Sequence, residues 1–332
     1  RMIYLDSACT ALKMRSAAEA QKEFLLDLGG CGGRRSSHAL AGAVEEKYAA
    51  ARAAAARFAG ADHPGEIIFT SGTTEAVNIF AGAFPFTPKK NEVILSPLEH
   101  NSVFLPFYNL AKAGKIKLKV MPLKGLKPDA AALERMLSAK TALVCVTRAS
   151  NFFGGVTDFA RLAGLARSAG AVVFADDAQY APTHQVRAAA SGADALAFSG
   201  HKLGAPFGTG VLWVKKALLG RLEPSKVGGG VVKSVRASGA GFKVEYLKNY
   251  QGFEAGIQNY SGAVAMSSAF KTLSDLGHEA IRAHMAELVS YAYERLGGLK
   301  EIKILGESGE LAQGALNSYN PAAHAFAAAD LN

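Results

Sequence analysis

The sequence predicts an α/β fold: a mostly parallel sheet flanked by helices, with a smaller C-terminal α+β domain expected to be incomplete. Two observations carry the prediction. Strand-like and helix-like segments alternate through most of the chain, the order that builds a sheet covered by helices. The strand-like runs are rich in Val, Ile, Leu and Phe and rarely alternate with polar residues. Strands buried on both faces read this way. The 332 residues suffice for a large core and a second, smaller unit. The expected divisions are an N-terminal arm over 1–12, a large domain over 13–277 and the small domain over 278–332.

Taken in order, Ile3-Tyr4-Leu5-Asp6 reads as an arm or short strand, and 13–28 as a helix. Residues 29–37, with four glycines around Cys31, read as a loop, because glycine carries high backbone entropy. Val44, Tyr48, Ala51, Ala55 and Phe58 recur at spacings of four and three, which predicts a helix over 41–59 stopped by Gly60. Strands follow over 66–70, 93–96, 117–123 and 142–147, each leading to a helix, over 73–83, 101–113, 129–138 and 157–169. Further strands are expected over 171–175, 195–199 and 210–214. Residues 225–262, rich in Gly and Lys, read as a long loop region near the active site. A helical stretch over 264–297 is interrupted near Gly277. Ile302–Leu305 and Ala315–Tyr319 read as strands of the second domain.

Composition narrows the function. Hydrophobic residues at 49% and charged residues at 20% are those of a soluble globular enzyme. The formal net charge of +9 suits an anionic ligand. It is spread along the chain without a basic run, which argues against nucleic acid. The three cysteines, Cys9, Cys31 and Cys145, fit a reducing compartment and show no metal-ligand spacing. No apolar run reaches the length of a membrane span and no signal peptide is visible, so a cytoplasmic protein is expected.

In parallel sheets ligands gather at the carboxyl ends of the strands, so the residues after each strand are the candidates. Phe198-Ser199-Gly200-His201-Lys202 ends one apolar run. A lysine there is partly desolvated, which lowers its pKa and makes the amine a nucleophile. The plain alternative is a surface lysine in a turn. Thr70-Ser71-Gly72-Thr73-Thr74-Glu75 joins a strand to a helix, where free backbone N–H groups can bind phosphate. Ordinary helix capping is the alternative. His100 can stack on a planar ligand or move protons, or be a polar surface residue. Asp176 and Asp177 directly follow the apolar run Val172–Ala175. Asp176 can hold a proton on a heterocyclic nitrogen, and Gln179 can bond a ring substituent. A solvent-facing turn would not explain why the apolar run leads straight into two acids. Asn151 is a candidate ligand contact and equally a turn residue. Together these place a lysine, an acid, a stacking histidine and an anion site on neighbouring strand ends, the set that pyridoxal phosphate requires.

The stretches Tyr4-Leu5-Asp6-Ser7-Ala8, Arg34 to His38, Gly72-Thr73-Thr74-Glu75-Ala76, Glu99-His100, Ser150-Asn151, Asp176-Asp177-Ala178-Gln179, Ser199-Gly200-His201-Lys202 and Phe253-Glu254-Ala255-Gly256 span nearly the whole chain. In these the chain resembles the class V aminotransferase family, and within it the cysteine desulfurases and selenocysteine lyases of the SufS-like group. The resemblance implies the type I fold of pyridoxal-phosphate-dependent transferases, with the cofactor in the large domain. It implies Lys202 as the Schiff-base lysine and His100 stacked on the pyridine ring. Asp176 would pair with the ring nitrogen, and Gln179 with the phenolic oxygen. Thr73, Thr74, Ser199 and His201 would hold the phosphate, and Asn151 would lie near the substrate carboxylate and the ring. It further implies a homodimer acting on L-cysteine. The products would be L-alanine and an enzyme persulfide, passed to a sulfur-acceptor protein for iron–sulfur cluster or thiolation pathways.

Three departures qualify this. Ile257 stands where relatives commonly carry a threonine that reaches the neighbouring subunit's phosphate. Cys9 stands where alanine is usual. The chain also ends before the region of the family's C-terminal nucleophilic cysteine and carboxylate-binding arginine. Cys31, with Arg34 and Arg35 nearby to lower its pKa, is a candidate substitute, and Cys145, inside a strand, is expected to be inert. Another class V reaction (aminotransferase, lyase or epimerase) and a non-catalytic scaffold stay open as alternatives.

Overall fold

The computed structural model describes residues 3–32, 36–239, 241–299 and 304. Helices α1 (Arg15–Asp27) and α2 (Ala39–Ala59) precede strand β1 (Ile67–Thr70). Then come α3 (Thr73–Ala83), β2 (Glu92–Leu95), α4 (Asn101–Lys112) and β3 (Lys117–Val120). A short hairpin, β4 (Leu123–Lys124) with β5 (Lys127–Pro128), leads to α5 (Ala130–Met136), β6 (Thr141–Thr147), α6 (Phe159–Ser168) and β7 (Val172–Asp176). Next are β8 (Ala195–Ser199), β9 (Gly210–Val214) and α7 (Lys216–Leu219). The described chain ends with β10 (Val232–Ser238), β11 (Gly241–Tyr246), α8 (Tyr260–Leu276) and α9 (His278–Gly297).

Seven strands form one sheet in the order β1-β9-β8-β7-β6-β2-β3. β3, β2, β6, β7 and β8 run parallel, and β9 lies antiparallel between β8 and β1. Neighbouring side chains along each strand enter opposite layers. Val144, Val146, Val173, Ala175, Leu196 and Phe198 pack with α2, α6 and α8. Leu143, Cys145, Phe174, Ala195 and Ala197 pack with α3 and α4. Both faces are covered, which is why the strands read as unbroken apolar runs. Gly60 adopts φ +66° and closes α2, as its position after the apolar stripe predicts.

Four expectations change. Residues 3–6 form no strand; the Tyr4 hydroxyl donates to the Thr10 carbonyl at 2.6 Å and ties them into a turn. The strand expected over 117–123 stops at Val120, and Leu123 pairs with Pro128 in the separate hairpin. The loop expected over 225–262 contains the antiparallel pair β10–β11. Its residues, Lys233, Arg236 and Lys243 among them, are mostly exposed on both faces, so no burial pattern marks them as strands. α8 also begins earlier than expected, at Tyr260. The strands expected over 302–305 and 315–319 lie outside the described residues, apart from Ile304.

One buried ion pair joins α2, β1 and the loop before α8. Arg52 and Glu254 are each 4% exposed. Arg52 meets both Glu254 oxygens at 2.8 Å and also donates to the Ile67 carbonyl at 2.6 Å. The Phe69 N–H donates to Glu254 Oε1 at 2.8 Å, and the Tyr48 hydroxyl to Oε2 at 3.2 Å. The Arg52 guanidinium lies 3.9 Å from the centre of the Tyr250 ring. Arg52→Met strips the charge partner from a buried carboxylate, a loss of about 3–5 kcal/mol. Urea denaturation measures it, and a loss below about 1 kcal/mol, the range of an exposed pair, contradicts this account.

Candidate active site

The strand registers bring four chain segments to one edge. Thr147 pairs with Asp176, Asp176 with Ala197, and both Ser199 and Thr70 with Gly210. The residues that follow β1, β6, β7 and β8 therefore share that edge, and the loop after β2 joins them.

Lys202 lies in the single 3-10 turn Gly200–Leu203, directly after β8. Gly200 makes the turn possible, since a Cβ there would run into Thr209 Oγ1 and lie 2.9 Å from Met266 Sδ. The Lys202 amine has no hydrogen bond or ion pair among the described residues. Burial pulls its pKa below the ordinary lysine range, against the opposing charges of Asp176 and Cys9.

Asp176 is 3% exposed. Its Oδ1 accepts from the Ala178 N–H at 2.9 Å, and its other oxygen has no partner among the described residues. Burial raises its pKa, while the Ala178 N–H, Lys202 and His100 oppose the rise. His100 caps α4: Nδ1 accepts from the Ser102 N–H at 3.1 Å. A backbone N–H can only donate, so the neutral ring carries its proton on Nε2. Partial burial lowers the His100 pKa, and the Lys202 cation adds to this. Ser102 Oγ bridges His100 Nδ1 and Thr74 Oγ1, at 2.8 Å each.

Ser199 Oγ accepts from the Thr73 N–H at 2.8 Å and lies 2.9 Å from Thr73 Oγ1, which fixes the start of α3 against the end of β8. Gly72, at φ +154°, lets the two approach, because a Cβ there would sit 3.2 Å from Ser199 Oγ. His201 Nδ1 is 3.1 Å from Thr10 Oγ1. Burial, then Lys202 and Lys13, push the His201 pKa down to about 4. Gln179 is buried and donates to the Ala8 carbonyl at 2.9 Å. Asn151 is exposed in the turn after β6.

Sequence reasoning missed three features. The N-terminal arm closes over the site: the Ala11 N–H, Thr10 Oγ1 and Lys13 Nζ all donate to the His201 carbonyl, at 3.1, 3.2 and 3.1 Å. This sets the exposed Cys9 beside Lys202, whereas the expected substitute, Cys31, is half-buried and Arg34 and Arg35 lie outside the described residues. Glu99 turns inward: Oε1 accepts from the Thr147 N–H at 2.5 Å and Oε2 has no hydrogen-bond partner among the described residues. Burial and then Asp176 raise its pKa well above the carboxylate range. The third feature is Asp177, which pairs with Arg148 beneath Asp176. The Asp176-Asp177 doublet was the visible signal for it; nothing in the sequence marks Arg148.

The cationic surroundings of His201 have a measurable consequence. Its ring stays neutral until the pH falls to about 4, so an NMR titration of the ring shows a midpoint well below that of an exposed histidine. Lys202→Met removes one cause and moves the midpoint up. An unmoved midpoint contradicts the electrostatic contact.

The arrangement has counterparts. A family model described as Aminotransferase class-V matches residues 3–328. A probable cysteine desulfurase of Halalkalibacterium halodurans is 33% identical over 308 residues, covering 92% of this chain and 75% of the relative. A cysteine desulfurase of Yersinia pestis is 32% identical over 309 residues, with the same coverage of 92% and 75%. Among solved structures, the Escherichia coli cysteine desulfurase CsdA has a TM-score of 0.80 at 32% identity, covering 89% of this chain and 74% of that one. The cysteine desulfurase of Thermococcus onnurineus NA1 has a TM-score of 0.79 at 29% identity, with coverage of 89% and 74%. The expected fold, that of the pyridoxal-phosphate-dependent enzymes of this kind, therefore holds. With a match running from the N-terminal arm past the last described helix, the chain belongs to the aminotransferase class-V family.

Proposed function

We propose that this chain is a pyridoxal-phosphate-dependent cysteine desulfurase that converts L-cysteine to L-alanine and leaves the sulfur as an enzyme persulfide. One observation carries the reading. An unpaired, desolvated amine at Lys202 and an unpartnered oxygen of buried Asp176 belong to the same strand edge. An amine and a carboxylate oxygen left open in this way suit a ligand that is both electrophilic and cationic. Gly72 adds a cradle that a Cβ would close against Ser199, beside the N–H groups that open α3.

Bound pyridoxal phosphate supplies an electron sink for the substrate's α-carbon. Asp176 would hold the protonated ring nitrogen. Ser199, Thr73, Thr74 and His201 would hold the phosphate, together with the first turn of α3. His100 would stack on the ring. Gln179 would serve the phenolic oxygen while its amide anchors the arm. Asn151 would lie near the substrate carboxylate and the ring. Burial lowers the Lys202 pKa, and the amine would serve as a nucleophile and then as the base that moves the α-proton. A thiolate then attacks the substrate sulfur. The S–S bond forms, the Cβ–S bond breaks, its electron pair returns to carbon, and protonation gives alanine. Cys145 is excluded from this role, because burial pushes its thiol well above the usual range.

The same reading includes a homodimer, a sulfur-acceptor protein and a cytoplasmic location. Ile257, 62% exposed, offers the dimer contact no hydrogen-bond donor. Among the described residues no helix is long and apolar enough to cross a membrane. It also keeps residues 13–277 as the cofactor domain and assigns 278–332 to the small domain.

Protein loaded with pyridoxal phosphate and given L-cysteine releases alanine, with sulfide in equal amount under a reducing thiol. Lys202→Ala lowers this by at least about 100-fold and abolishes the visible absorbance band of the bound cofactor. A cofactor-loaded wild type that makes no alanine rules the reading out.

A further inference from the structure

The chemistry proposed above leaves one buried charged group unused. Asp177 is 0% exposed and points into the layer opposite Asp176. Its Oδ2 meets Arg148 Nη1 at 2.8 Å, while Oδ1 has no partner among the described residues. Arg148 is itself buried. Nη1 also donates to the Val186 carbonyl at 3.0 Å, and the guanidinium lies 3.7 Å from the centre of the Tyr180 ring.

The backbone ties this pair to the site. The Arg148 N–H donates to the Asp176 carbonyl at 3.0 Å. The Asp177 N–H donates to the Ala197 carbonyl at 2.9 Å, and the Tyr180 and Ala181 N–H groups donate to the Asp177 carbonyl at 3.0 and 2.9 Å. The pair thus sits at the hub of β6, β7, β8 and the turn that carries Gln179.

We propose that the buried Arg148–Asp177 pair positions Asp176 and balances the charge behind it, so that Asp176 faces the cofactor as a lone anion. The inference rests on the cofactor reading above. In low dielectric a second carboxylate one residue away is a strong perturbation unless compensated, and an unpaired guanidinium is equally strong with the opposite sign. The other titratable groups facing Asp176 are Lys202 from the β8 turn, His100 and Glu99 from the loop after β2, and Cys145 from β6. Arg148 and Asp177 act through Asp176 and do not touch substrate.

The test is the pH midpoint of the bound cofactor's absorbance change, measured on the holoenzyme. Asp177→Asn leaves Arg148 charged and alone. An uncompensated cation disfavours the protonated form of the cofactor, so the midpoint falls by about half a pH unit or more. The double variant Arg148→Met with Asp177→Asn removes both charges, and its midpoint returns to that of wild type. A bracing role alone predicts that the double variant is at least as disturbed as the single one. An unchanged midpoint in D177N, or a double variant displaced as far as D177N, overturns the proposal. If D177N does not fold, recovery of a folded protein with the wild-type midpoint by adding R148M supports the proposal, and failure to recover overturns it. Alanine release by wild type tests the desulfurase reading independently of all of these variants.

Discussion

The structure depends on bringing one amine out of water at the end of a strand buried on both faces. β8 contributes Ala195, Leu196, Ala197 and Phe198 to two separate apolar layers, so an ammonium group has no place until the strand ends. Gly200 then turns the chain within contact of Thr209 and Met266, and Lys202 is left half-buried and unpaired. Burial of a lysine in that position lowers its pKa, the direction that a nucleophilic amine needs. The rest of the edge is arranged around it. Asp176 and Cys9 pull its proton back, while Lys202 in turn depresses His100 and His201.

Two buried ion pairs keep that edge in place, and they differ in completeness. Arg52 and Glu254 fill each other's main valences and take two backbone groups besides, the condition under which a buried pair holds its geometry. Arg148 and Asp177 leave one carboxylate oxygen unmet, and burial raises the Asp177 pKa to about 6 despite Arg148. The first pair fastens helix α2 and the loop after Tyr250 to β1. The second lies one residue from Asp176 and is placed to influence the chemistry. Glu99 adds a third buried carboxyl near Asp176, and burial, then the Asp176 charge, raise its pKa well above the carboxylate range.

Much of this was legible from local pattern. The paired-face burial of β6, β7 and β8 erased polar alternation, and so the strands announced themselves as apolar runs. The spacing of Val44, Tyr48, Ala51, Ala55 and Phe58 gave α2, and all five are buried. The hairpin β10–β11 was not legible, because it is held by backbone hydrogen bonds and its side chains are mostly in water. Nor was the place of Cys9. Judged by sequence neighbours, Cys31 with its arginines looked the more reactive thiol, but the arm is laid over Lys202 by bonds to His201 and Gln179, more than 170 positions away. Gln179 was expected to bond a ring substituent of the cofactor, and the structure shows its amide donating to the Ala8 carbonyl.

The sequence by itself determined the layering of the sheet, the strand ends at which chemistry is possible and the residue types on them. Hydrophobic periodicity and the exclusion of charge from strand interiors are local rules, readable one segment at a time. Tertiary structure decided which of those residues share an environment. It brought Glu99 to Asp176, set Arg148 against Asp177, and closed the N-terminal arm over the Lys202 turn. These are contacts between distant segments, and the pKa of each group follows from the burial and the charges it meets there.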